Sequence, residues 1–315
     1  MRVILLGYNG FLGRHILAEL VKNIKKNNKL DLICIGRDIR TQPFKNKKVK
    51  YIKWNFIEFT KSKLYFLEKE NIIINCVGKN HSTLKNLKNI NVIFIEKLIN
   101  YIKYNRIRVR FIHLGSVSVY GAEKKHTNKI VNITENSQTN PDDSYSKSKL
   151  ESELCIKNFS KNNKKTFSFT ILRIANVFSG SKNPLSFKLI HFLLKTGIWF
   201  KCSDHTNYHY IHAKDVALAV MQSILYSHRS KNRVYNVSDD INQLKIHKIY
   251  VSKNIIGLLK IPISLKLIAL LIKHMILPRI VLNFFLTITS QITYDNQSIK
   301  KELNYISKHS LRMKF

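Results

Sequence analysis

Tyr145 and Lys149 stand four residues apart, a spacing that on an α-helix brings a phenol and an ammonium to one face within mutual reach. A free phenol titrates near pH ~10, and a nearby ammonium favours the phenolate, moving proton transfer towards neutral pH. Such a pair suits giving a proton to, or taking one from, a substrate oxygen. The same spacing also occurs on surface helix turns, so its meaning depends on its surroundings. Gly7, Gly10 and Gly13, in the run ILLGYNGFLG, supply the first of them. A turn this tight needs glycine for backbone freedom, and it lets a diphosphate approach the free N–H groups at the start of a helix. Asn9, Phe11 and Leu12 fill the turn between the glycines. An ordinary glycine turn is the alternative, but the flanking strand and helix patterns favour a dinucleotide cradle.

These residues need a scaffold, and the apolar pattern provides one. Val3 to Leu6 form a continuous apolar run, as expected of a strand covered on both faces. Ile16, Leu17, Leu20 and Val21 then recur at helical spacing to about Lys26. Leu30 to Ile35 is a second strand, ending at Gly36-Arg37. In a dinucleotide fold an acid closing this strand binds the ribose 2′-hydroxyl, whereas an arginine accommodates a 2′-phosphate. Gly36 occupies the acid's place and Arg37 follows, so NADP(H) is expected ahead of NAD(H), with Asp38 still able to reach the ribose. Further strands are expected at Lys50–Trp54, Ile72–Val77, Val109–Leu114, Phe167–Leu172 and Val234–Val237. Helices are expected over Leu87–Tyr104 and from Tyr145 to about Asn158. This alternation predicts an α/β fold with a doubly wound parallel sheet.

The Gly7-x-x-Gly10-x-x-Gly13 spacing departs from G-x-G-x-x-G and resembles the short-chain dehydrogenase/reductase superfamily. Its Gly-Phe-Leu-Gly ending is most similar to the extended branch, the NAD-dependent epimerase/dehydratase family. Three later segments share the resemblance: Ser116-Val-Ser118-Val-Tyr-Gly121, Tyr145-x-x-x-Lys149, and Leu172-Arg-Ile-Ala-Asn176-Val-Phe178. So does His209 to Ala217, in which Asp215 is expected to start a helix as an N-terminal acid and His212 to be structural.

The resemblance implies a Rossmann domain of residues 1–176 and 205–239 and a substrate-binding domain of 177–204 and 240–315, with the site between them. It implies Ser116, Tyr145 and Lys149 as the catalytic trio, Asn55 at the adenine, and Val77 and Gly78 against the cofactor. Ser118, Asn176 and Tyr208 would meet a nucleotide-diphosphate sugar, although Asn176 also reads as a turn residue and Tyr208 replaces the arginine of many relatives. A homodimer through the helices after strands four and five, and a role in surface-polysaccharide precursor synthesis, are also implied. Dehydratases of the family carry Asp-Glu after the catalytic Ser or Thr, and 3,5-epimerising reductases carry Cys there. Val117-Ser118 matches neither. What remains is hydride chemistry at C4 of the sugar: reduction of a 4-keto sugar with NADPH, or 4-epimerisation with recycled NAD.

At 315 residues and 44% hydrophobic content, the chain can bury a large core. Its net charge of +35 comes from 54 Lys+Arg against 19 Asp+Glu. An RNA or an anionic membrane would explain that charge, but the lysines are spread along the whole chain, so a solvated basic surface is expected rather than a nucleic-acid site. The cysteines at 34, 76, 155 and 202 show no C-x-x-C pair or zinc spacing, which predicts reduced core thiols and no metal. No signal-peptide pattern precedes the glycine turn, so a cytoplasmic location is expected. The apolar stretch from Ile255 to Ile288 is broken by Lys260, Lys266, Lys273 and Arg279, so no transmembrane span is expected. From Gln243 onward a core-and-lid role is favoured, and a membrane-surface helix competes with it.

Overall fold

The computed structural model describes residues 2–27, 30–56, 67, 70–80, 82–121, 131–179, 198–201, 210–239, 259–262 and 292–309. Strand β1 (Arg2–Leu6) leads through the glycine turn into helix α1 (Phe11–Asn27), followed by β2 (Asp31–Gly36), β3 (Val49–Lys53) and β4 (Glu70–Asn75). Helices α2 (Leu84–Lys88) and α3 (Phe94–Tyr104) precede β5 (Arg108–Ser116) and the short β6 (Val131–Ile133). Then come α4 (Ser144–Asn162), β7 (Phe167–Ile174), β8 (Asn176–Phe178), β9 (Ile198–Lys201), β10 (Tyr210–His212), α5 (Ala213–Leu225) and β11 (Arg233–Val237). Strands β12 (Leu259–Pro262) and β13 (Ile292–Tyr294) and helix α6 (Gln297–Leu303) complete the described elements.

Seven parallel strands make the central sheet, in the order β11-β7-β5-β4-β1-β2-β3. The chain therefore reverses its winding between β1 and β4, and a crevice opens there at the carboxyl ends of the strands, where ligands bind in such folds. The apolar runs are continuous because both faces are covered. Val3 and Leu5 join a core with Ile16, Leu17, Leu20 and Val216, while Ile4 and Leu6 join the opposite core with Phe94, Leu98 and Ile102. Full burial of each such side chain stabilises the fold by roughly 1.5–3 kcal/mol.

The observed ends differ from the expected ones where side chains intervene. β4 stops at Asn75, short of Val77, because the Asn75 side chain takes the Val77 N–H at 3.1 Å. β5 runs on to Ser116, held by the β7 register that pairs Ser116 with Ile174. The helical stretch starts at Leu84, capped by Thr83, and passes through one wide turn at Asn89–Ile93 before α3.

Residues 292–309 pack back on the sheet body: β13 pairs with β6, and the α6 residue Glu302 bonds the β11 residue Tyr235. Asp215 does lie in the first turn of α5, but its carboxylate accepts from the backbone N–H of Lys308 and His309 and pairs with the His309 ring at 2.8 Å. His212 is the cap instead, its Nδ1 accepting from Lys214 N. Tyr208, Cys202 and most of the apolar stretch after Gln243 lie outside the described residues. Among the described residues no helix is long and apolar enough to cross a membrane.

Candidate active site

The glycine turn is shaped by backbone contacts. Gly7 has φ +81°, a conformation that favours glycine, and its N–H bonds Ile35 O at 2.7 Å. A Cβ on Gly13 would lie 2.1 Å from Gly7 O, so α1 can start this close to β1 only with glycine there. A Cβ on Gly10 would meet Gly7 O alone, at 3.2 Å, leaving the turn's outer surface open. Phe11 and Leu12 form the first turn of α1, which carries no acid, so nothing offsets the positive end of the helix. The cradle thus fits a diphosphate in space and in charge.

Towards the adenosine end, Asn9 Nδ2 donates to Asp38 O at 3.0 Å, and the Tyr8 hydroxyl donates to Asp38 O and Thr41 O. A Cβ on Gly36 would sit 2.8 Å from Asn9 Oδ1, which explains glycine at the end of β2. The Asp38 carboxylate is taken up by Arg40, whose backbone N and Nε donate to it at 2.9 and 2.8 Å and hold its pKa down at about 2. Arg37 is exposed and, among the described residues, makes no ion pair. Asn55 follows β3 two residues beyond its end and is half-buried.

Ser116, Tyr145 and Lys149, the trio expected from the sequence, lie around the end of β5 and the start of α4. Ser116 closes β5 and its Oγ accepts from Ser118 N at 3.2 Å, which fixes the hydroxyl at the mouth of the sheet. Tyr145 lies in the first turn of α4, whose start is set by a reciprocal cap between Asp143 and Ser146. Burial raises the Tyr145 pKa; the nearby Ser116 side chain opposes that shift and Asp143 adds to it. Lys149 is 6% exposed and its Nζ donates to Leu114 O at 2.8 Å. Burial lowers its pKa to about 8, resisted by Glu153 and Cys76. The expected pull of Lys149 on the phenol is therefore not the dominant effect, because the ammonium is directed at a carbonyl and desolvation governs Tyr145.

The cofactor-side residues converge on this point. A Cβ on Gly78 would come 3.5 Å from Lys149 Nζ, and a Cβ on Gly7 would come 3.2 Å from Val77 N. The segment just after β4 thus lies between the glycine turn and Lys149. Ser118 Oγ is buried and has no partner among the described residues. Asn176 is exposed at the start of β8, paired in register with Tyr210. Among the described residues no group of three or more His, Cys, Asp and Glu is placed to hold a metal.

Sequence reasoning missed the polar groups beneath this surface. Asn75 Nδ2 lies 3.2 Å from His113 Nδ1, and His113 Nε2 lies 3.2 Å from Ser152 Oγ, which donates to Lys149 O. Burial, with Lys149 nearby, keeps His113 neutral, and these partners select its Nε2–H tautomer. Asn91 Nδ2 bonds Ser148 Oγ at 2.9 Å, tying α4 to the segment after β4. Glu153 and Arg173 form a buried pair at 2.8 Å. Only the placement of Glu153 one helical turn beyond Lys149 could have signalled them.

A doubly wound sheet with a glycine turn at its switch point, and a Ser-Tyr-Lys trio beside that turn, defines a dinucleotide-dependent oxidoreductase scaffold. The model of the NAD dependent epimerase/dehydratase family matches residues 3–238. The chain belongs to that family of enzymes. Among curated proteins no sequence matches it. Solved structures resemble it in fold. UDP-glucuronic acid 4-epimerase from Bacillus cereus, in complex with UDP-glucuronic acid and NAD, is 17% identical, with a TM-score of 0.68 over 99% of this chain and 95% of that one. DesIV, a dTDP-glucose 4,6-dehydratase from Streptomyces venezuelae, is 15% identical, with a TM-score of 0.69 over 99% and 93%. A short-chain dehydrogenase/reductase superfamily protein from Agrobacterium tumefaciens with bound NAD is 12% identical, with a TM-score of 0.66 over 98% and 93%.

Proposed function

We propose that the protein reduces the 4-keto group of a nucleotide-diphosphate sugar with NADPH. The observation that carries this reading is the placement of Ser116 at the end of β5 and of Tyr145 on α4, one helical turn before a buried Lys149 whose Nζ donates to Leu114 O. The Tyr145 phenol is protonated at neutral pH, as burial raises its pKa, and it is the group that can give a proton to a forming alkoxide, a far stronger base. A nicotinamide cofactor, when held in the cleft, would supply the hydride. Tyr145 would give its proton to the oxygen that becomes the alcohol, Ser116 Oγ would fix that oxygen's direction, and Lys149 would hold the nicotinamide ribose and the local positive charge. Val117, largely buried, stands where an acid would be needed for removal of water. Asn176, Ser118 and Tyr208 are proposed to contact the sugar nucleotide.

Arg37 supports the choice of NADPH. It is exposed without an ion-pair partner among the described residues, while the neighbouring acid, Asp38, is occupied by Arg40 and so poorly placed to bind a ribose 2′-hydroxyl. The proposed domain division is that of the sequence reading. The proposed setting is the cytoplasm, where the free thiols of Cys34, Cys76 and Cys155 stay reduced, with a role in surface-polysaccharide precursor supply. A homodimer through α3 and α4 is part of the reading, with Leu154 exposed on α4.

A second reading is 4-epimerisation with retained NAD, favoured by the fold likeness to a UDP-glucuronic acid 4-epimerase bound to NAD. Assays of UDP- and dTDP-linked 4-keto sugars with NADPH and NADH test the first reading, and incubation of UDP- and dTDP-linked 4-hydroxy sugars with NAD tests the second. NADPH oxidation by a 4-keto sugar supports the reductase, C4 inversion of a 4-hydroxy sugar without net cofactor change supports the epimerase, and neither outcome with any sugar rejects the pair.

A further inference from the structure

Beneath the trio, the Glu153 carboxylate is fully buried one helical turn beyond Lys149. It occupies the space that a side chain on Gly115 would need: a Cβ there would lie 2.8 Å from Glu153 Oε1. Leu114 and Ser116 flank Gly115 on β5; the first receives the Lys149 proton donor and the second is the catalytic hydroxyl. Arg173 grips the carboxylate through Nη2 at 2.8 Å and Nε at 3.1 Å, and its Nη1 donates to the Tyr120 hydroxyl at 2.8 Å. Tyr120 in turn donates to Asn236 Oδ1 at 2.7 Å. Asn236 N donates to Glu135 Oε1 at 2.9 Å, and Ser298 Oγ of α6 bonds Glu135 Oε2 at 3.2 Å.

We infer that Glu153, clamped by Arg173, is the positioning residue for Lys149 and for the Leu114–Ser116 strand end, and that the Tyr120–Asn236–Glu135 chain ties this position to the closing helix α6. The inference rests on the oxidoreductase reading of the trio above. Its physical basis is contact: the Glu153 carboxylate packs against Gly115, between the Leu114 carbonyl that holds Lys149 and the Ser116 hydroxyl, and its negative charge opposes the loss of the Lys149 proton that burial favours. The groups facing Lys149 are Glu153 on its own helix, Cys76 after β4, and neutral His113 on β5; those facing Glu153 are Arg173 on β7 and Lys157 on α4 at 3.9 Å. No other carboxylate among the groups acting on Lys149 offsets its burial. Burial lowers the Arg173 pKa, but the pull of Glu153 and Tyr120 outweighs it and the net effect is upward, so the guanidinium keeps its charge in the core.

The test is the pH profile of Glu153→Gln/Arg173→Gln, which removes both buried charges together and so leaves no orphaned guanidinium to unfold the chain. Loss of the Glu153 charge should move the alkaline limb of kcat about one pH unit towards acid, with turnover recovering below that limb. Gly115→Ala keeps both charges but displaces the carboxylate, and should move the limb the same way by less. An unmoved limb, with kcat lowered by one factor at every pH in the folded variants, would overturn the inference in favour of a purely structural pair. The pH dependence of NADPH affinity, followed by fluorescence on wild type and both variants, reads Lys149 without any sugar substrate. If wild type turns over no sugar but this dependence shifts in the variants, the positioning role stands and the proposed reaction falls; if the dependence is identical in all three, the positioning role falls.

Discussion

At the adenosine end of the cleft, residues 7–13 and 36–41 meet through backbone groups and uncharged side chains, and the one acid–base pair there, Asp38 with Arg40, lies at the surface. At the catalytic end, Lys149, Glu153 and Arg173 bury three charges within the fold, each 6% exposed or less. On the proposed reading the first end would recognise its ligand by shape, since glycine lets main chain approach a diphosphate. The second works by charge in a desolvated space, where each group depends on its neighbours. Substitutions at the first end should therefore act sterically and evenly across pH, and those at the second should act electrostatically and change with pH.

The largest expected effect is on turnover. Tyr145→Phe should lower kcat by roughly a thousandfold, the scale of a lost general acid, while leaving NADPH affinity within a few-fold; a variant that kept a tenth of wild-type turnover would show that another group donates the proton. Next comes Lys149→Met, read by denaturant unfolding against pH. Unfolded Lys149 keeps its proton up to its ordinary 10.5, whereas the folded residue loses it near 8, so this group's contribution to stability rises with pH across that window. Below pH 8 the buried ammonium costs the fold on the order of 3 kcal/mol. The stability of Lys149→Met relative to wild type should therefore be greatest below pH 8 and fall by about that amount towards pH 10.5, and parallel curves would contradict it.

At the other end, Gly13→Ala sets a Cβ 2.1 Å from a carbonyl that belongs to the backbone and cannot swing aside. It should destabilise the fold by about 1–3 kcal/mol at every pH and weaken dinucleotide binding with it. A pH-dependent loss there would blur the contrast between the two ends. The smallest effect is expected from Arg37→Gln: about tenfold weaker binding of NADPH with NADH unchanged, measured by fluorescence titration. Equal weakening of both cofactors would remove Arg37 from 2′-phosphate recognition.

The two ends also differ in how far the sequence discloses them. Gly7, Gly10 and Gly13 and the Tyr145–Lys149 spacing are local patterns, in which allowed backbone angles and the helical repeat fix the geometry from neighbouring residues. The parallel sheet was equally legible, because strands covered on both faces leave continuous apolar runs. The expected strand ends at Val77 and Leu114 shifted because an Asn75 side chain and a β7 partner intervened, and neither is written in the run itself. Tertiary structure alone decided the network that supports the trio. Tyr120 meets Asn236 across 116 residues of chain, and Glu153 meets Arg173 across 20. Whether Lys149 acts on the phenol or on a carbonyl was decided there too. A local pattern can be read because the chain itself holds its members together; a buried polar group takes its partner from whatever packing brings beside it, and it must take one because an unpaired charge in the core is too costly.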